Sequence, residues 1–214
     1  MLPKTLSART SAPRLVVAGV LTAAALGGIA IQASAQTSPV ARPPALASGA
    51  WLVDAARNGD TRAAEVFIAH GADVDQGKPG DGTPLIVAAR NGDMTMARFL
   101  VEQGAAVDRS LDGDGNPLIN AAASGHLEMA KYLISSGANV NAVVPNDETP
   151  LINAAREGHL DLVQELVEAG ADVNLAVPVT LRSGATEFRS PLSQARLNRH
   201  ANVAAYLIAR GAHI

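Results

Sequence analysis

The chain has 214 residues with 17 basic and 20 acidic side chains and no cysteine, which excludes disulfide frameworks and thiolate metal sites. Aromatic residues make up only 3% while Ala, Leu, Val and Gly abound, so the composition points to small aliphatic side chains between close helices and away from a ring-lined pocket. All 20 acidic residues lie after position 35, and the part beyond that position carries 14 basic ones, a net charge of −6 that argues against a nucleic-acid partner.

The first element is an address. Lys4, Arg9 and Arg14 precede an uncharged apolar run from Leu15 to Ile31, and Ala33, Ser34 and Ala35 supply the small residues that signal peptidase requires, so residues 1–35 read as a secretory signal cleaved after Ala35. The run of 17 residues also lies near the lower limit for crossing a bilayer, which makes an uncleaved membrane anchor the alternative. Residues 36–49, with Pro39, Pro43 and Pro44, offer no periodic apolar face and read as a linker.

From residue 50 the chain repeats itself. Thr83, Asn116 and Thr149 each open a Pro-Leu-Ile string at a spacing of 33 residues, and Ser190-Pro-Leu follows 41 later. The alignment extends back to Ala55-Ala-Arg-Asn-Gly, giving five units at about 50–82, 83–115, 116–148, 149–189 and 190–214. Within a unit, the Thr, Asn or Ser caps a short first helix and the Pro fits its first position, where no N–H donor is needed. Gly92 and its equivalents permit a left-handed turn, and Asp93 caps a second helix. That helix places Met96, Phe99 and Leu100, then Met129, Leu133 and Ile134, then Leu162, Val163, Leu166 and Val167 on one stripe. Gly71, Gly104, Gly137, Gly170 and Gly211 stop the second helices, and an extended Asp-Val-Asp or Asn-Val-Asn segment completes each unit.

Thr-Pro-Leu, Ala-Ala, Gly-His-Leu and Gly-Ala-Asp-Val-Asn in this order resemble the ankyrin repeat over about 165 of the 214 residues. The string Pro-Leu-Ile-Asn-Ala-Ala resembles, more narrowly, the ankyrin tails of some bacterial membrane metallopeptidases, but no His-Glu-x-x-His helix occurs and the peptidase activity does not carry over. The resemblance implies an all-α solenoid of five helix–turn–helix repeats, an L-shaped stack with hairpin fingers and a concave face that grips partners. Ile86, Ile119 and Ile152 stand where the family has His, so the hydrogen bonding of that His is absent or supplied otherwise.

Chemistry-bearing clusters are few. Asp112, Asp114 and Asn116 resemble the start of a calcium loop, but Pro117 and Ala123 occupy the places that need Gly and a bidentate Glu. His126, His159 and His200 occupy equivalent places in successive repeats, too far apart to share a metal ion, and read as caps of the second helix that bridge adjacent repeats. No catalytic set, cofactor site or metal site emerges. The expectation is a non-catalytic, monomeric module with a protein partner, in the periplasm or outside the cell, and with membrane association only if the apolar segment is retained. A secreted effector or toxin-antagonist, or a small-ligand or metal-binding repeat protein, are the alternatives.

Transfer of the family's contact positions puts Pro79, Gly80, Asp81, Asp112, Gly113, Asp114, Pro145, Asn146, Asp147 and Glu148 at finger tips and Arg90, Asn91, Ala123, Ser124, Arg156 and Glu157 on the first helices. Of these, Asp81, Arg90, Asp112, Asp114, Asn146, Asp147, Glu148 and Arg156 are the residues expected to touch the partner: an acidic row beside a partly basic one. The competing reading is that these charges neutralise each other. Leu111, Val143 and Val144 lie in the fingers and need a cover, either a partner or a neighbouring finger. The eight extra residues within Val177 to Arg189 mark an insertion on one face.

Overall fold

Four helices begin on the side-chain oxygen of a Thr, Asn or Ser that precedes Pro. Thr83 accepts from the Ile86 N–H, Asn116 from Ile119 and Thr149 from Ile152, while Ser190 and Ser193 form a reciprocal capping box. Each is followed by Pro at the first helical position. The computed structural model describes residues 49–111, 113–145, 148–181 and 183–213; the expected signal segment and nearly all of the linker lie outside them.

Ten helices lie in these described residues, in five antiparallel pairs. The first-helix row is α1 (Gly49–Asn58), α3 (Pro84–Asn91), α5 (Pro117–Ser124), α7 (Pro150–Glu157) and α9 (Pro191–Leu197). The second-helix row is α2 (Thr61–Ala69), α4 (Met94–Glu102), α6 (Leu127–Ser135), α8 (Leu160–Glu168) and α10 (Ala201–Ala209). Each helix packs on its own partner, and the first-row helices pack on one another in chain order, as do α2 on α4, α6 on α8 and α8 on α10. Leu85, Leu118, Leu151 and Leu192 in one row, and Leu100, Leu133, Leu166 and Leu207 in the other, are buried between the pairs. Each such side chain contributes about 1.5 to 3 kcal/mol by leaving water, and no single pair could hide both of its apolar faces. Ile86, Ile119 and Ile152 are buried as well. In two of the three repeats the residue after the Ile donates hydrogen bonds: Asn120 to the carbonyls of Asp114 and Asn116, and Asn153 to that of Thr149, whereas Val87 has no side-chain donor.

The turn between the two helices of a pair is also a junction between pairs. Gly92, Gly125 and Gly158 adopt φ of 69°, 75° and 81°, and a Cβ on any of them would strike the ring of His126, His159 or His200 from the next pair. Those rings donate from Nε2 to the carbonyls of Arg90, Ala123 and Arg156 at 3.1, 3.3 and 2.9 Å. The histidines therefore bridge, as expected, but contrary to expectation they make no side-chain cap; Asp60 and Asp93 do, accepting from Ala63 and Met96. An imidazole committed to the preceding pair cannot also turn inward to its own helix.

A second ladder runs along the loops after the second helices. Asp75 accepts from the Ala106 N–H, Asp108 from Asn139, Asn141 from Asp172 and Asn174 from His213. These acceptors follow Val74, Val107, Val140 and Val173 in Asp-Val-Asp, Ala-Val-Asp, Asn-Val-Asn and Asp-Val-Asn, so the recurrence at 33 residues is a hydrogen-bond register between pairs. The fingers follow. Three are closed by one bridge each, Lys78 to Gly82, Leu111 to Gly115 and Val144 to Glu148. In the fourth, the extra residues lengthen that bridge into an antiparallel hairpin, β1 (Val177–Thr180) and β2 (Thr186–Arg189), with Val177 opposite Arg189 and Thr180 opposite Thr186.

Candidate partner-binding surface

The first-helix row and the fingers meet at an angle filled with charge. Asp81, at the first finger tip, is held by Lys78 at 2.9 Å and by Arg57 at 2.5 Å. The hydrogen bond from Lys78, then that from Arg57, keep its carboxyl below the ordinary aspartate range. Arg90 is exposed and donates from Nε to Asn120 Oδ1 at 3.0 Å. Asp114 is buried, its Oδ2 accepting from the Gly80 N–H of the preceding finger at 3.1 Å. Asp112, Asn146 and Asp147 lie outside the described residues.

Glu148 departs furthest from expectation. It is not displayed at a tip: 1% of its surface is exposed, and its carboxylate lies between Arg156 and Arg189, with Arg189 Nη1 at 2.8 Å. Arg156 also donates to Asn153 and Gln194. Asp114 is the second correction, since the acceptor expected to face a partner is spent on the neighbouring finger. Among the described residues Arg57 pairs with Asp81 and Arg156 with Glu148, whereas Arg90 bonds the neutral amide of Asn120. A carboxylate at the root of a finger has two cations or an N–H within reach, and desolvation favours satisfying it there.

Arg189 escaped the sequence reading as a partner of Glu148. It lies 41 positions away, across the insertion, and the hydrogen bond it donates to Glu148 raises its already high pKa. The available signal was that Gly82 and Gly115 occupy the frame position of Glu148 and that all three have positive φ, at 90°, 69° and 66°. Leu111 and Val144 are covered: a Cβ on Gly77 would strike Leu111, and Val144 is buried. Val143 remains half exposed, and Phe188, on the outer face of the hairpin, is 68% exposed.

A family model described as ankyrin repeats (3 copies) matches residues 52–144, 112–177 and 140–214, which together run from the first helix pair to the last residue. The chain belongs to the ankyrin-repeat family. No curated protein matches it. Ankyrin repeats generally mediate protein–protein interaction and are typically non-catalytic modules, which gives this stack a protein as its general class of partner. Among the described residues no group of three or more His, Asp or Glu side chains is arranged to hold a metal ion.

Proposed function

We propose that this ankyrin stack is a non-catalytic binding module, exported to the periplasm, that holds one protein partner against its fingers and first-helix row. One observation carries the reading. Core positions repeat without change, as Leu85, Leu118, Leu151 and Leu192, whereas the first-helix position facing the fingers runs Arg90, Ala123, Arg156, Leu197. Constant packing with a varied outer row is what a scaffold shaped to a particular target requires. The exposed described part of that surface is narrower than the sequence implied, comprising Arg90, Pro79, Gly113 and Val143, and Asp112, Asn146 and Asp147 enter the proposal from the sequence alone. Export rests on residues 1–35 alone, with their basic start, apolar run and Ala33–Ala35 site.

The test is photo-cross-linking in cells that express the full chain, with the reactive group at position 90 or 113 and, as control, at 102 on the second-helix row. Fractionation of the same cells reads location. A discrete cross-linked protein from 90 or 113 but not 102, in the periplasmic fraction, is the expected result, and Asp112→Lys with Asp147→Lys should reduce it without loss of helix content. Equal labelling from all three positions would refute the binding surface; retention in the cytoplasm would refute export, and release into the medium would favour a secreted effector.

A further inference from the structure

The charges of this molecule are segregated along the stack. Residues 49–176 carry 19 acidic and eight basic side chains, whereas residues 177–214 carry one acidic and five basic ones. At the basic end apolar surface is uncovered too, with Leu197 69% and Ile208 48% exposed, as Trp51 and Val66 are in the first pair. On the face of the last helix pair that points away from α7 and α8, a shallow depression is lined by Arg196, Arg199, Ala201, Ala204, Ala205 and Ile208. Its floor is alanine and isoleucine and its rim is two arginines.

This face is not shaped for another repeat of the same kind. Arg196 stands where Ala89, Ala122 and Ala155 are buried against the next pair, and helices at the usual spacing of about 8 to 10 Å leave no room for a guanidinium between them. Arg199, at φ 63°, stands where Gly92, Gly125 and Gly158 receive the next histidine. The two substitutions remove the fit to a helix pair and put cations around an apolar hollow.

The inserted hairpin borders the same end. Val177 and Arg189 face the third finger, the first buried and the second bonded to Glu148, so the alternate residues Pro178, Thr180, Thr186 and Phe188 face away from it. A buried carboxylate at positive φ, held by two arginines, fixes the hairpin root in place.

Resting on the reading of the chain as a binding module, we infer that the basic end face is a docking site for an acidic protein segment that places an apolar side chain between its carboxylates. The apolar residue occupies the alanine-floored hollow against Ile208, and the carboxylates meet Arg196 and Arg199. A second copy entering end-on is disfavoured by Arg196, and a polyanion without an apolar residue leaves the hollow unfilled.

The experiment uses the full chain and three fluorescent peptides: one of Glu and Asp around a central Leu pair, the same with Ser for Leu, and the same with Lys for the acids. Fluorescence anisotropy should show binding of the first, weakened about tenfold or more by Arg196→Ala with Arg199→Ala and several-fold by Ile208→Ser or by the Ser peptide. Alanine is the residue of positions 89, 122 and 155, equivalent to 196, and glycine that of 92, 125 and 158, equivalent to 199; circular dichroism and melting verify folding. Equal affinity for the Leu and Ser peptides, or no effect of the arginine pair, would overturn the inference. So would stronger capture by vesicles containing phosphatidylglycerol, or concentration-dependent self-association lost in the same variants. If cross-linking from position 90 or 113 finds a protein while position 208 finds none, the binding function survives and this site does not.

Discussion

The second finger turns back through Gly115 at φ 69°, and its buried carboxylate Asp114 accepts a backbone N–H from the finger before it. The third finger makes the same turn through Glu148 at φ 66° and fills the space with a carboxylate between two arginines. A left-handed backbone costs a residue with a Cβ about 1 to 2 kcal/mol, and a buried carboxylate costs more still unless it is paired. The third finger accepts both costs, and what it gains is a bond to Arg189 across an insertion that a glycine turn has no side chain to reach. The two fingers share a frame and differ in purpose. One closes the regular stack, and the other anchors an irregular element to it.

The largest effect should be common to both regions. Leu133 is fully buried between pairs, and Leu133→Ala opens a cavity expected to cost about 2 to 5 kcal/mol in urea denaturation. Leu100→Ala and Leu166→Ala belong to the same series, and a cost near zero at any of the three would break the claim that the pairs share one continuous core.

Next is the anchor itself. Glu148→Ala leaves Arg156 and Arg189 facing each other, and because their side chains are 27% and 25% exposed, water screens part of the loss; about 1 to 3 kcal/mol is expected. Glu148→Gly also loses the charge but relieves the left-handed backbone, and should be about 1 kcal/mol less destabilising than Ala. Equal values for the two would mean that the turn carries no strain.

The regular junctions come third. Gly125→Ala must both accept φ 75° and push its methyl group into the His159 ring, whereas Gly104→Ala accepts φ 92° with open space around it. About 1 kcal/mol is expected at position 104 and about 2 to 3 at position 125, with part of the excess recovered by His159→Ala. No recovery in the double variant would show that the ring is not what position 125 meets.

These contrasts mark what the amino-acid pattern can disclose. The caps at Thr83, Asn116, Thr149 and Ser190, the left-handed glycines and the buried leucines were legible because each depends on neighbours within a few residues and recurs at a fixed period. The fates of Asp114 and Glu148 were not, because they depend on groups 34 and 41 positions away, across a gap between fingers whose width no local rule sets. Transfer of contact positions from the family pointed to loops that the structure shows as fingers but misplaced two of their carboxylates, since family position does not say whether a carboxylate faces water or the next finger. The histidines show the same limit: their position said junction, but which neighbour the ring meets is a tertiary choice.

The smallest effect comes from the exposed counterpart of the Glu148 cluster. Asp81 also lies between two cations, Lys78 and Arg57, but at a finger tip and without a left-handed backbone. Its folded pKa lies below the ordinary value of 3.8, so the pairing contributes stability that is fully present above that value and is lost as the pH falls through the folded pKa. The denaturation midpoint of Asp81→Asn should therefore fall slightly below that of the unaltered chain from neutral pH down to the ordinary aspartate range, and the difference should shrink in stronger acid and in high salt. A difference that persists in strong acid would mean that Asp81 acts by packing and not by charge, and the resemblance between the two carboxylates would be one of position alone.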